Sequence, residues 1–263
     1  MCGRYILVQK LEVIEQRFNA RTIENINYSP SYNISPGKKG LIIINESVKK
    51  IESAIFGLTP HWSKKPMYLF NARAEGDRNQ ENDSNYRGAK QIILKPAFRK
   101  SIRHKRCLVI ADAFIEGTTQ EGLSKPYVVF LRNKQLPFAF AGIYDDWENP
   151  QTGQIIRGYS IITTVANEFM KKIPHNRCPV ILKPADEDKW LNPSLALTDV
   201  TDMLEAPDSN TLNAYPVSPN IKNPNLDGPD LIQPIGDFLV CETDINVHET
   251  LKRQGFGRNH RNF

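Results

Sequence analysis

Many short apolar runs, punctuated by glycine, proline and other turn formers, dominate the chain, and few helical repeats lie between them. Residues 41–45, 53–58, 106–111, 127–131, 138–144, 159–164 and 179–182 each read as a short strand rich in β-branched and aromatic side chains. Helical periodicity is confined to 10–19, 97–104, 167–172, 184–191, where Pro184 suits a first turn, and 194–203. A doubly wound parallel sheet needs a crossover helix after nearly every strand, and that alternation is missing. The pattern predicts an α+β fold on a mainly antiparallel sheet.

Composition narrows this further. With 40% hydrophobic and 24% charged residues in 263, the chain is too apolar for a disordered protein and long enough for a full core without staples. The net charge of +5 excludes a wholly basic, histone-like binder and leaves room for a local basic groove. No run approaches the ~20 apolar residues of a membrane span, and MCGRYILVQK lacks the features of a signal peptide, so an intracellular, cytoplasmic protein with no membrane partner is expected. Cys2, Cys107, Cys178 and Cys241 form no C-x-x-C pair and have no histidine at ligand spacing, so neither a metal centre nor a disulfide framework is expected. There is no internal repeat and no long linker. One domain over 1–235 is predicted, followed by a 236–263 extension whose last dozen residues form a basic, glycine-containing tail.

The unusual position is the second. A cysteine that follows the initiator methionine becomes, once Met1 is removed, an N-terminal residue with a free α-amine beside its thiol. The amine, with an unperturbed pKa of ~7.7–8.0, attacks a carbonyl, and the thiol then closes on the imine to give a five-membered thiazolidine. Position alone does not distinguish such a residue from an incidental terminal cysteine.

The context does. MCGRY at 1–5, SYNISPG at 31–37, FGLTPHW at 56–62, NARAEG at 71–76, KPAFR at 95–99, RCLVIADAFIEG at 106–117 and IPHNRCPVIL at 173–182 resemble, in order, the SRAP family of abasic-site processing proteins. AFAGIYDDW at 139–147, IITTVAN at 161–167, YPVSP at 215–219 and the DGPDLIQPI run that ends at 235 look like the same family's framework, so the resemblance spans about 1–235. It implies a single domain with a barrel-like β core and peripheral helices. It also implies a substrate: single-stranded DNA that has lost a base and exposes a deoxyribose aldehyde. By similarity, Cys2 forms a covalent DNA–protein crosslink that shields the lesion in the DNA damage response, after autoproteolytic removal of Met1. A monomer without cofactor is implied, nucleoid-associated if the source is bacterial.

The same resemblance gives roles to further residues. Glu116, at the end of the AFIEG run, is suited to shuttling protons among apolar neighbours, and His175, after Pro174, to protonating the sugar ring oxygen and assisting reversal. Asn71 positions the sugar or the Cys2 amine, and Arg73, two residues on, offers a planar fork to phosphate; the ordinary alternative is a surface ion pair with Glu75. Asn33 adds a polar contact or merely holds its turn. Phosphate candidates are Arg4, Lys38, Lys39, Lys64, Lys65, Arg73, Arg87 and Arg99, and Trp62 and Pro36 offer apolar faces to bases. The chain departs from the family pattern at Phe56, Ser63, Ala113, Ile115, Gly117 and in the Asn176–Arg177–Cys178–Pro179 run. The loss of an acidic neighbour at Asn176 bears on the protonation of His175. Two other readings remain at this point: a thiol peptidase acting in trans, and a non-catalytic single-strand binder with an inert Cys2.

Overall fold

A computed structural model describes residues 2–23, 26–46, 48–132 and 136–241. Two sheets share one large core, and the first sheet carries a second, smaller one that includes Ile6, Ile115, Val128 and Tyr215. In the first sheet, β1 (Arg4–Leu7), β3 (Ser31–Ile34), β8 (Ala113–Thr118), β9 (Gly122–Leu131) and β13 (Leu212–Pro216) lie in the order β13-β9-β8-β1-β3, antiparallel throughout. The second sheet contains β4 (Lys39–Asn45), β5 (Lys49–Phe56), β7 (Arg106–Ala111), β10 (Phe138–Glu148) and β11 (Ile155–Val165). Antiparallel pairing runs β11-β10-β7-β4-β5, and a parallel contact of Gly158 and Tyr159 with Ile55 and Phe56 joins β5 back to β11. This closes a five-stranded barrel. The short strands β2 (Arg21–Thr22), β6 (Asn71–Arg73) and β12 (Arg177–Pro179) pair with β5, β11 and β11 respectively. The predicted α+β class with a mainly antiparallel, barrel-like core is what the chain adopts.

All seven strand-like runs lie at or beside the observed strands, because continuous apolar segments such as Leu41 to Ile44 are buried on both faces of a closed sheet. The last run is displaced: β12 ends at Pro179, and Ile181 makes only an isolated bridge to Phe140. Helices are peripheral. α1 (Leu11–Phe18) buries Ile14 and Phe18, one helical turn apart, and ends on Asn19 in the left-handed region. α4 (Pro184–Leu191) starts on the predicted proline and buries Trp190, whose indole donates to the Cys107 carbonyl at 2.9 Å. The 97–104 expectation shrinks to α2 (Ser101–His104) preceded by turns, and 194–203 to α5 (Leu197–Asp202); α3 (Glu168–Lys172) keeps Asn167 as its cap. Cys107 and Cys178 are buried core residues. Residues 235–240 hydrogen-bond along β13, through Ile235 to Pro216, Leu239 to Ala214 and Val240 to Asn213; the rest of the extension, 242–263, lies outside the described residues. No helix among the described residues is long and apolar enough to cross a membrane.

One buried carboxylate ties the N-terminal strand to the sheet. Asp112, between β7 and β8, accepts from the Val8 N–H at 2.6 Å and the Gln9 N–H at 3.3 Å, while its Oδ1 has no hydrogen-bond partner among the described residues. Burial outweighs these bonds and pushes its pKa up to about 7. The folded state therefore binds this proton more tightly than the unfolded chain, whose value is ~3.9, and stability falls as pH rises from about 4 to 7. Asp112→Asn is expected to flatten that slope, as read from urea midpoints at pH 5 and pH 8. An unchanged difference between the two midpoints would count against the assignment.

Candidate active site

The site lies where the first sheet meets the barrel. Arg4 of β1 stands opposite Ile115 of β8, so the residues before Arg4 run beside Glu116 and Gly117. From the barrel side, Asn71 opens β6 next to Ile161, and its amide donates to the Cys2 carbonyl at 3.0 Å. His175 precedes β12, and its Nε2 lies 3.3 Å from Glu116 Oε1, both side chains being buried. Four residues expected to act together, Cys2, Asn71, Glu116 and His175, are thus drawn from four separate segments to one place.

A cleft of about 380 Å³ opens above them, lined by Gly3, Arg4, Arg73, Asn82, Glu116, His175 and Arg177 among others. The Cys2 thiol is fully buried and makes a weak contact with the Arg4 carbonyl at 3.9 Å. Burial, reinforced by the charge of Glu116, pushes the thiol well above the ordinary cysteine range, so it rests as the neutral S–H. Burial also lowers the His175 pKa, against the pull of Glu116, so the imidazole is neutral at physiological pH. This answers the question raised by Asn176: desolvation decides. Nδ1 stands 2.8 Å from the Arg177 carbonyl oxygen and 3.2 Å from the Arg177 N–H, contacts that belong to opposite tautomers. With the proton on Nε2 the ring donates to Glu116; with it on Nδ1, Nε2 becomes the acceptor. The ring can therefore move a proton in either direction beside the carboxyl group.

The cationic wall is not the one expected. Glu75 does not pair with Arg73; it binds Arg177 at 2.9 Å, and Arg177 also donates to the Thr163 carbonyl and hydroxyl at 3.0 and 3.1 Å. Burial alone would raise Glu75, but the Arg177 guanidinium outweighs it and holds the carboxyl below the usual range. Arg177 was missed in the sequence, where it is one member of an apolar framework run. The fold places it: β12 pairs Arg177 with Val165 of β11, and Arg177 lines the cleft, with Nε and Nη1 lacking partners among the described residues. Arg73 donates to the Asn79 carbonyl, and Arg177 lies near enough to oppose its charge.

Other candidates are placed differently. Arg4 lines the cleft but donates to Asn33 at 2.8 Å and to the Lys222 carbonyl at 2.6 Å. Asn33 is fully buried and donates to the Asn223 and Leu226 carbonyls, so this pair anchors the 222–226 loop. Pro36 is exposed in its turn. Trp62 faces outward, 52% exposed, because its neighbours are tied down: His61 binds Asp145 through its backbone and its ring, and the Ser63 carbonyl accepts from Trp147. It does not line the cleft, but it stands with exposed Lys64, Lys65, Met67 and Tyr68 on the loop leading to Asn71.

The family described as SOS response associated peptidase (SRAP) matches residues 1–224. The chain belongs to the SRAP family. Among its relatives, the abasic site processing protein YoqW of Bacillus subtilis is 35% identical over 240 residues, covering 89% of this chain and 99% of that protein. The abasic site processing protein HMCES of Gallus gallus is 28% identical and covers 79% of this chain and 67% of its own length. A solved structure of a Bacteroides thetaiotaomicron protein has the same fold, with a TM-score of 0.74 at 25% identity over 89% of this chain and all of that one.

Gly117 stands at a close approach that leaves no room for a side chain. A Cβ on Gly117 would lie 1.9 Å from the Gly122 carbonyl oxygen, where β8 and β9 approach across a register shift. Gly117→Ala is expected to cost about 1–3 kcal/mol, the range for overpacking, and to displace adjacent Glu116. Urea midpoints check the first effect; a wild-type midpoint would remove the steric argument.

Proposed function

We propose that this SRAP protein captures abasic sites in single-stranded DNA by forming a thiazolidine at Cys2. The observation that carries the reading is that Cys2, held by Asn71, lies close enough to Glu116 of the Glu116–His175 pair to feel its charge, beside a cleft walled by Arg73 and Arg177. The names of the relatives, abasic site processing proteins, support the same substrate.

Hydrolysis of the Met1–Cys2 peptide bond frees the Cys2 amine. Arg73 and Arg177 hold phosphates on either side of the missing base, and Trp62 with its lysines supports neighbouring bases and backbone. Glu116 takes the proton of the sugar's anomeric hydroxyl and passes one to His175 as His175 gives one to the ring oxygen; the ring C–O bond breaks, leaving the aldehyde and a free hydroxyl. Asn71, by holding the Cys2 carbonyl, orients the amine for attack. Loss of water gives the imine; the thiol sulfur adds to the imine carbon and its proton passes to nitrogen. In sum, aminothiol and aldehyde become thiazolidine and one water. A buried, neutral thiol suits this order, in which the amine acts first, better than it suits attack on peptides in trans, where a thiolate is wanted.

The test uses purified protein and single-stranded oligonucleotides with and without an abasic site, resolved on a denaturing gel. A retarded band is expected with the abasic strand alone. Binding without any covalent band, from protein that has lost Met1, would refute the proposal.

A further inference from the structure

Beyond the residues given roles above, one turn reaches into the cleft. Asn79 is buried, and its side-chain amide closes the 79–83 segment on itself, accepting from the Asp83 N–H at 2.8 Å and donating to the Asp83 carbonyl at 2.9 Å. Its backbone carbonyl accepts from two donors, the Arg73 guanidinium and the Asn82 N–H. Asn82 occupies the left-handed region at φ 56°, where asparagine is among the few tolerated residues, and lines the cleft with Arg73, Glu116, His175 and Arg177. One carbonyl thus couples the orientation of Arg73 to the position of Asn82.

We infer that Asn82 is a strand-binding residue whose side-chain amide donates to a phosphate oxygen next to the abasic sugar, and that Asn79 is the positioning residue that holds Asn82 and Arg73 for this contact. The inference rests on the proposed function for its ligand. Phosphate is favoured over a base edge because the cleft wall beside Asn82 carries two guanidinium groups, Arg73 and Arg177. Moreover, a site that accepts any neighbouring sequence gains from backbone contacts, which position without reading bases.

The test is equilibrium binding of a labelled single strand that carries a tetrahydrofuran ring, which cannot open to an aldehyde, with crosslinking to a true abasic strand measured in parallel. Asn82→Ala is expected to weaken binding about tenfold, as for a lost hydrogen bond to a charged group. Asn82→Gly accepts the left-handed backbone but has no amide, so it should bind as weakly as the alanine variant. Asn82→Asp, with the same shape and a negative charge, should bind more weakly still, and its deficit against alanine should shrink as salt rises. Asn79→Ala should lose at least as much affinity as Asn82→Ala. Wild-type binding by the aspartate variant, or recovery by glycine, would overturn the phosphate contact and leave Asn82 with a purely conformational role. A smaller loss in Asn79→Ala than in Asn82→Ala would overturn the positioning role. If wild-type protein fails to crosslink the true abasic strand, the proposed function falls, while the tetrahydrofuran binding series still decides the inference.

Discussion

Cys2→Ala is expected to abolish the stable crosslink to abasic single-stranded DNA while leaving the fold and non-covalent strand binding close to wild type. Prepared with Met1 removed by an aminopeptidase, the variant still exposes an α-amine, so it can form the imine, but nothing closes the ring and the imine returns to aldehyde and amine by hydrolysis. Cys2 is fully buried, yet the side-chain change deletes only one sulfur, whose sole polar contact among the described residues is the weak one to the Arg4 carbonyl at 3.9 Å. The stability cost should therefore stay near the ~1 kcal/mol expected for a small cavity. Reduction with borohydride during the reaction distinguishes the two outcomes. It should trap an adduct with Cys2→Ala, where an imine exists, that is missing without reductant. A stable unreduced adduct in Cys2→Ala would mean that the nucleophile lies elsewhere.

The second large effect is on stability. Glu75→Ala leaves the Arg177 guanidinium buried beside Thr163 without its counter-charge, and removal of one partner of such a pair costs about 3–5 kcal/mol. Thr164, whose hydroxyl lies 3.2 Å from Glu75, loses a partner as well. Urea unfolding should show a shift of this size. The double variant Glu75→Leu/Arg177→Met should recover much of it, since an apolar pair of similar volume carries no desolvation penalty, but should bind DNA poorly because the cleft has lost a guanidinium. A single-variant loss below 1 kcal/mol would mean that the pair is solvated rather than buried.

The barrel was legible in the sequence because its strands are long, apolar and buried on both sides, as in the Leu41 to Ile44 run. β1, β3 and β6 were not singled out as strands, being three or four residues long and, in β6, carrying the polar Asn71 and Arg73 on either side of buried Ala72. For the site, the free aminothiol expected at Cys2 follows from position, and the resemblance supplied Asn71, Glu116 and His175, which the fold brings together. What local reading could not supply was the set of pairings across the chain. Glu75 and Arg177 are 102 residues apart, and nothing near either one announces the other. The natural guess from sequence joins Glu75 to nearby Arg73, whereas the strands turn Arg73 toward Asn79 and bring Arg177 to Glu75. Asn82 lies in a loop with no periodicity, and it enters the site only through the Asn79 turn.

The central claim is that the DNA is joined to the N-terminal cysteine itself, and intact mass spectrometry of the product tests it most directly. Purified protein incubated with an abasic single strand should yield a species whose mass equals that of the chain lacking Met1 plus the oligonucleotide less one water, with the modified peptide beginning at Cys2. A chain lacking Met1 that binds the strand and remains at its unmodified mass, or an adduct mapped to any other residue, would contradict it.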